Sequence, residues 1–174
     1  ATLVNKCLEL IEAHYLFNIP ESQIEIIVHP QSIIHSMITF IDGSTIAQMS
    51  NPSMEVPISN ALGMGTRLPI DFKEIDFSEL NLSFESVASD REIIFKMARE
   101  VCNKKGNLGV IFNASNEIAV DAFINKKIDF IDIYEVIQRT FDCFSCSKVS
   151  TIDEIFEYDK EARIQAEKVI KSLH

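Results

Sequence analysis

Apolar and polar positions follow different periods along this chain, and the changes of period mark out its elements. Residues 2–17 set Leu3, Leu8, Ile11, Tyr15 and Leu16 at near-helical spacing, with Lys6, Glu9 and Glu12 crowding another face. That pattern predicts an amphipathic helix closed by Asn18 and Pro20. Residues 24–29 are rich in β-branched side chains and predict a buried strand. Two short alternating runs, 37–41 and 44–49, flank Asp42-Gly43, the strongest hairpin signal in the chain. Asn51-Pro52-Ser53 reads as a turn, and 56–62 as a short helix that runs out at Gly63 and Gly65.

Residues 66–90 show no sustained period and are expected to be a long connection between units. Helical spacing returns at 91, where Ile94, Met97, Ala98 and Val101 form a stripe that ends at Gly106. Further helices are predicted over 115–124, capped by Asn113 or Ser115, over 131–142, and over 158–173. The expected fold class is α+β: a partial mixed sheet with flanking helices, joined by a long linker to a small C-terminal helical bundle. The corresponding boundaries are 1–65, 66–90 and 91–174. Three strands alone make a marginal sheet, so the first segment is expected to complete its sheet with strands upstream or in a partner chain.

Composition narrows the function classes. A hydrophobic share of 47% against 24% charged residues is that of a globular chain and excludes intrinsic disorder. The net charge of −10 disfavours a polyanionic partner; the basic pairs Lys104–Lys105 and Lys126–Lys127 are too small a patch for nucleic acid. No apolar run is long enough to span a membrane, and the first residues do not resemble a signal peptide. The chain opens inside a helical pattern without an initiator Met, as an excised or processed piece would. Cys143-Phe144-Ser145-Cys146 has redox or half-zinc spacing, but no second ligand pair accompanies it. A structural role in a reducing compartment is expected.

Spacing alone leaves the candidate chemistry open. On a helix, Asn5, Glu9 and Glu12 share a side, with Lys6 at its rim, which suits a phosphate and a hard cation or equally a solvated face with Glu–Lys pairs. His29 and His35, with Ser32 between them, stand in a loop after the predicted strand; they could serve chemistry or simply cap backbone carbonyls. His14 suits the edge of a core, Met54 suits gap filling, and Asn113-Ala114-Ser115-Asn116-Glu117 suits helix capping.

Several of these strings, taken in order, resemble the 1-deoxy-D-xylulose 5-phosphate reductoisomerase family. They are Ala1-Thr2-Leu3-Val4-Asn5-Lys6, the stretch from Leu8-Glu9 to Ala13, His29-Pro30-Gln31-Ser32-Ile33-Ile34-His35-Ser36, and Asn113-Ala114-Ser115-Asn116-Glu117-Ile118-Ala119. The resemblance runs from Ala1 to about Ala61 and from about Ile93 onward. It implies an enzyme that uses NADPH and Mg²⁺ or Mn²⁺ to convert a phosphorylated sugar, 1-deoxy-D-xylulose 5-phosphate, to 2-C-methyl-D-erythritol 4-phosphate for isoprenoid synthesis. The parent enzyme would be a homodimer in a bacterial cytoplasm or a plastid-like organelle. By the same resemblance Asn5 and Lys6 would grip the substrate phosphate, with Lys6 and His35 catalytic. Ser32, Pro52 and Met54 would line the substrate, and Glu9 with Glu12 would serve the metal. The NADPH domain and the other metal carboxylates have no counterpart among these residues, so the 174 residues alone are expected to be inactive. Cys7, Ser53 and Gly63-Met64-Gly65 depart from the family pattern. A non-catalytic dimerisation or interaction module is the competing expectation.

Overall fold

The computed structural model describes residues 3–87 and 92–173. Ala1 and Thr2 of the N-terminal string, the linker positions 88–90, position 91 and His174 lie outside the described residues. The α+β class holds, with six helices and a two-stranded antiparallel sheet among the described residues.

Contacts divide the chain differently from the three predicted segments. Residues 3–26 group with 92–173 as one compact unit, and 27–87 form a second. The first unit is built on helices α1 (Val4–Phe17), α3 (Glu92–Lys104), α4 (Leu108–Ile124), α5 (Asp132–Asp142) and α6 (Ile152–Lys171). Helix α4 packs against both α5 and α6, while α1 lies on α3. Val4, Cys7 and Leu10 are the buried stripe of α1, and Val4 and Cys7 join one continuous core with Ile94, Phe112, Ile137 and Ala166. The Leu3 amide donates to the Tyr134 hydroxyl at 3.2 Å, tying the start of α1 to α5. At its other end Asn18 adopts the left-handed conformation that Asn tolerates, and the His14 Nδ1–H donates to the Ile19 carbonyl at 2.7 Å.

The predicted strand at 24–29 does not form. Glu21–Gln23 is a single 3₁₀ turn, and Val28 makes an isolated bridge with Glu85. Arg99 reaches across from α3 and donates to the Glu21 carbonyl at 2.6 Å and the Ile24 carbonyl at 3.1 Å. Within 24–29 Arg99 thus takes the Ile24 carbonyl, and the Glu85 amide takes that of Val28.

Two bundle helices begin earlier than their spacing predicts. Helix α4 starts at Leu108, not 115, and buries Leu108, Ile111, Phe112, Ser115, Ala119 and Ala122 at helical intervals. The Asn113–Glu117 string thus lies mid-helix and caps nothing; Ser115 is buried and donates to the Phe112 carbonyl at 3.0 Å. Helix α6 starts at Ile152 through a capping box: the Glu154 amide donates to Thr151 Oγ1, and the Thr151 amide to Glu154 Oε2, each at 3.2 Å.

The second unit holds strands β1 (Ile34–Thr39) and β2 (Thr45–Met49) and helix α2 (Glu55–Leu62). The hairpin pairs Thr39 with Thr45 and Ile38 with Ile46. Asp42 accepts from the Ser44 amide at 2.9 Å and the Ser44 hydroxyl at 2.6 Å, and Gly43 takes φ +84°, as the Asp-Gly pair predicts. Residues 66–87 contain no helix or strand, yet side chains hold them to the rest of their unit. Asn51 donates to the Lys73 carbonyl at 2.7 Å, and Gln31 exchanges hydrogen bonds with Ser83.

Candidate functional site

The exposed side of α1 carries Asn5, Lys6, Glu9 and Glu12, all open to solvent. The helix presents them because its other side is committed to the core. Burial pushes the Cys7 thiol up to about 12, which makes it a protonated, inert part of that core. Lys6 and Glu9 form one ion pair: the Lys6 Nζ lies 3.0 Å from Glu9 Oε1 and 2.9 Å from Oε2, with each side chain more than half exposed. Glu12 follows Glu9 on the same side, since residues three apart on a helix are neighbours.

The remaining predicted residues belong to the second unit. His29-Pro30-Gln31-Ser32 is a tight turn in which the Ser32 amide donates to the His29 carbonyl at 3.1 Å and Ser32 takes φ +52°. His29 donates through Nδ1 to the Ser83 carbonyl at 2.8 Å and stacks on Phe84 at a centroid distance of 4.9 Å. Its Nε2 is buried with no partner. His35 donates through Nε2 to the Ser50 carbonyl at 3.1 Å. A carbonyl only accepts, so these bonds place the protons on His29 Nδ1 and His35 Nε2. Both histidines therefore do what the plainer reading of their spacing expects, capping backbone. Ser32, Pro52 and Met54 are exposed, and Met54 stands at the N-cap of α2. None of the eight predicted site residues, and neither His14 nor His29, lines either of two shallow hollows. One, of about 290 Å³, lies beside Cys143 and Lys168; the other, of about 210 Å³, lies beside Asn60 and Arg67.

The donors can be tested against the cofactors that the resemblance implies. Glu9 and Glu12 suit a hard cation in kind, being solvent-facing carboxylates, but fall short in number. Mg²⁺ wants six oxygens, and no group of three His, Cys, Asp or Glu among the described residues could hold a metal. These two side chains can be part of a cation site, not the whole of one. NADPH does not fit: the five glycines form no G-x-G-x-x-G turn, and the described sheet is one antiparallel hairpin without parallel crossovers.

The cysteine pair sits against backbone carbonyls just after α5. Both thiols are free; Cys143 donates to the Arg139 carbonyl at 3.1 Å, and Cys146 lies 3.6 Å from the Lys104 carbonyl. Sequence reasoning missed the residue that holds this loop. Asn107 is fully buried; its Nδ2 donates to the Ser145 carbonyl at 3.2 Å and its Oδ1 accepts from the Ser147 amide at 2.8 Å. It also missed Arg163, whose pKa is pushed upward by hydrogen bonds to Asp159 and Glu117. An Asn directly after Gly106, and an Arg four residues after Asp159, were the available signals.

The class defined by this architecture is an α+β chain in which a helical core carries a polar α1 face. The model of the DXP reductoisomerase C-terminal domain matches residues 49–165. The 1-deoxy-D-xylulose 5-phosphate reductoisomerase of Zymomonas mobilis is 42% identical over 174 residues, covering 99% of this chain and 45% of the relative. That of Thermodesulfovibrio yellowstonii is 43% identical over 171 residues, covering 98% and 45%. Among solved structures, the Z. mobilis enzyme in complex with NADPH superposes with a TM-score of 0.90 at 42% identity, over 98% of this chain and 45% of that one. A DOX-P reductoisomerase in complex with NADPH, fosmidomycin and magnesium gives 0.87 at 32% identity, over 98% and 44%. The chain belongs to the DXP reductoisomerase family, as its motifs implied, and spans about half the length of the curated relatives it matches.

Proposed function

We propose that this chain is the C-terminal part of an NADPH-dependent reductoisomerase that converts 1-deoxy-D-xylulose 5-phosphate to 2-C-methyl-D-erythritol 4-phosphate. The polar face of α1 is its contribution to the substrate and metal site. The observation that carries this reading is the exposed Asn5–Lys6–Glu9–Glu12 row on a rigid helix, in a chain 42% identical to a reductoisomerase over nearly its whole length. Two of the similar structures hold NADPH and three hold magnesium, which supports the same cofactors in the parent of this chain.

In this reading Asn5 donates its side-chain amide, and Lys6 its ammonium, to the phosphate of the substrate. Glu9 is one of several carboxylates around a divalent cation, Mg²⁺ or Mn²⁺, with Glu12 behind it. The cation supplies Lewis-acid polarisation of the substrate's carbonyl and hydroxyl oxygens. His35 lies beside the active site, Ser32 lines the substrate, and Pro52 with Met54 packs near the substrate and nicotinamide. Residues 1–65 belong to the catalytic domain, 66–90 connect, and 91–174 form the helical domain. The parent is a homodimer in a bacterial cytoplasm or plastid-like organelle. Two carboxylates without a nucleotide fold leave the isolated 174 residues inactive.

A second reading, a non-catalytic dimerisation or interaction module, draws on His29 and His35, whose donor nitrogens are both engaged by backbone carbonyls. The experiment that separates the two is metal-dependent NADPH oxidation with 1-deoxy-D-xylulose 5-phosphate, run on the full-length protein and its Glu9→Gln variant. Activity in the parent and a loss of orders of magnitude in the variant are expected. An intact parent without turnover, or a fully active variant, favours the module.

A further inference from the structure

We propose that Tyr134 is a positioning residue for the polar row of α1: its hydroxyl caps that helix from outside and fixes where Asn5 and Lys6 are presented. The proposal rests on the reading of Asn5 and Lys6 as phosphate-binding side chains and deepens it. Its basis is that α1 has no cap of its own. Leu3 stands at the N-cap, where Ser, Thr, Asp or Asn would bring an acceptor, and the first turn holds no acidic residue. The Leu3 carbonyl takes the Cys7 amide at 3.1 Å, which opens the helix, but the Leu3 amide is one that the helix cannot pair within itself. Tyr134, 131 positions further on, supplies the acceptor at 3.2 Å. The bond ties α1 to a helix other than α3, the one it lies along.

Both partners of this bond are held from behind. Tyr134 packs against the helical core, and its neighbours Ile133, Val136 and Ile137 are buried and anchor α5. On α1, Val4 and Cys7 are fully buried beside the capped residue, so the core grips one side of the first turn and the hydroxyl holds its end. Asn5 and Lys6 follow Leu3 by two and three residues, within that same turn, and face solvent. Without the hydroxyl the Leu3 amide turns to water and the end of the turn is freed. The two donors then spread over positions that a bound phosphate cannot all use, and misplacement of a positioning group weakens binding even where the contact itself is intact. One such hydrogen bond corresponds to about two- to tenfold in affinity.

The test uses the full-length protein and its Tyr134→Phe variant, which keeps the ring and removes only the acceptor. Faster hydrogen exchange of the Leu3 amide is expected. The KM for 1-deoxy-D-xylulose 5-phosphate should rise about two- to tenfold, with an equal weakening of inorganic phosphate binding by calorimetry. The kcat and the KM for NADPH should stay unchanged. A shift of kcat or of the NADPH KM by the same factor means a general loss of structure and overturns the positioning role. If Lys6→Ala weakens phosphate binding while Tyr134→Phe does not, Tyr134 is no positioning residue and the reading of the α1 row survives. If Lys6→Ala leaves phosphate binding unchanged, that reading itself fails and the role of Tyr134 fails with it.

Discussion

The two units of this molecule reach order by opposite means. Every buried apolar residue, from Val4 to Ile170, lies in the helical unit. Between residues 27 and 87 no residue is buried, and the strands carry Ile38 and Ile46 at 63% and 64% exposure. That second unit is instead held by directional contacts: the Val28–Glu85 bridge, the His29 and Gln31 contacts to Ser83, the Asn51 contact to Lys73, and the Asp42 turn. The contrast separates two roles of an apolar side chain. In α4 and α5 it creates stability through area removed from water; in the hairpin it sets register and face without a partner that would make the burial count.

The largest effect that sharpens this contrast is expected at Phe112, fully buried and edge-on to Phe141 at 6.5 Å. Phe112→Ala should destabilise the helical unit by about 3–5 kcal/mol, seen as a large fall in the denaturant midpoint. Next comes Asn107→Ala, which strands the Ser145 carbonyl and Ser147 amide; a loss of about 1–3 kcal/mol is expected, with faster amide exchange at Ser147.

A smaller, pH-dependent effect belongs to Glu21. Hydrogen bonds from Arg99, and then from Asn103, hold its carboxyl below the usual range. A lowered folded-state pKa means its contribution is present above the unfolded value of 4.5 and is lost as pH falls through the folded value. Thermal midpoints should therefore decline on acidification below about pH 4.5, and Glu21→Gln should flatten that part of the curve. The smallest effect is expected in the hairpin: Ile46→Ala should change stability by no more than about 0.5 kcal/mol. A loss as large as that of Phe112→Ala would break the comparison, since it would mean that the strand face is buried in the working protein.

Much of the helical unit was legible because each helix that packs on a core repeats its burial every three or four residues. The stripe Ile94, Met97, Ala98, Val101 was read correctly to its end near Gly106. The starts of α4 and α6 were misread where a non-periodic device sets the boundary. The small polar residues of 113–116 look like a cap but lie inside α4, and the box of Thr151 and Glu154 lies outside the apolar pattern of α6. The Asp-Gly turn was legible because Gly43 has a backbone requirement that few other residues meet. The polar row on α1 was visible as a shared helix side, but its pairing was not: spacing allows Lys6 to reach Glu9 and cannot say that it takes both oxygens.

What the sequence by itself determined were properties that depend on near neighbours: helix and turn types, the exposed face of α1, the α+β class, and through ordered motifs the family. What only the tertiary structure decided depends on residues far apart in the chain. Arg99 meets carbonyls 75 and 78 positions away and so ties residues 21–24 to α3. Asn107 closes on a loop 38 and 40 positions further on. Helix α1 leaves the hairpin that follows it and joins the C-terminal helices. The physical reason is common to all three: a buried donor or an apolar stripe specifies that it must be satisfied, while which distant partner satisfies it is settled by packing the whole chain at once.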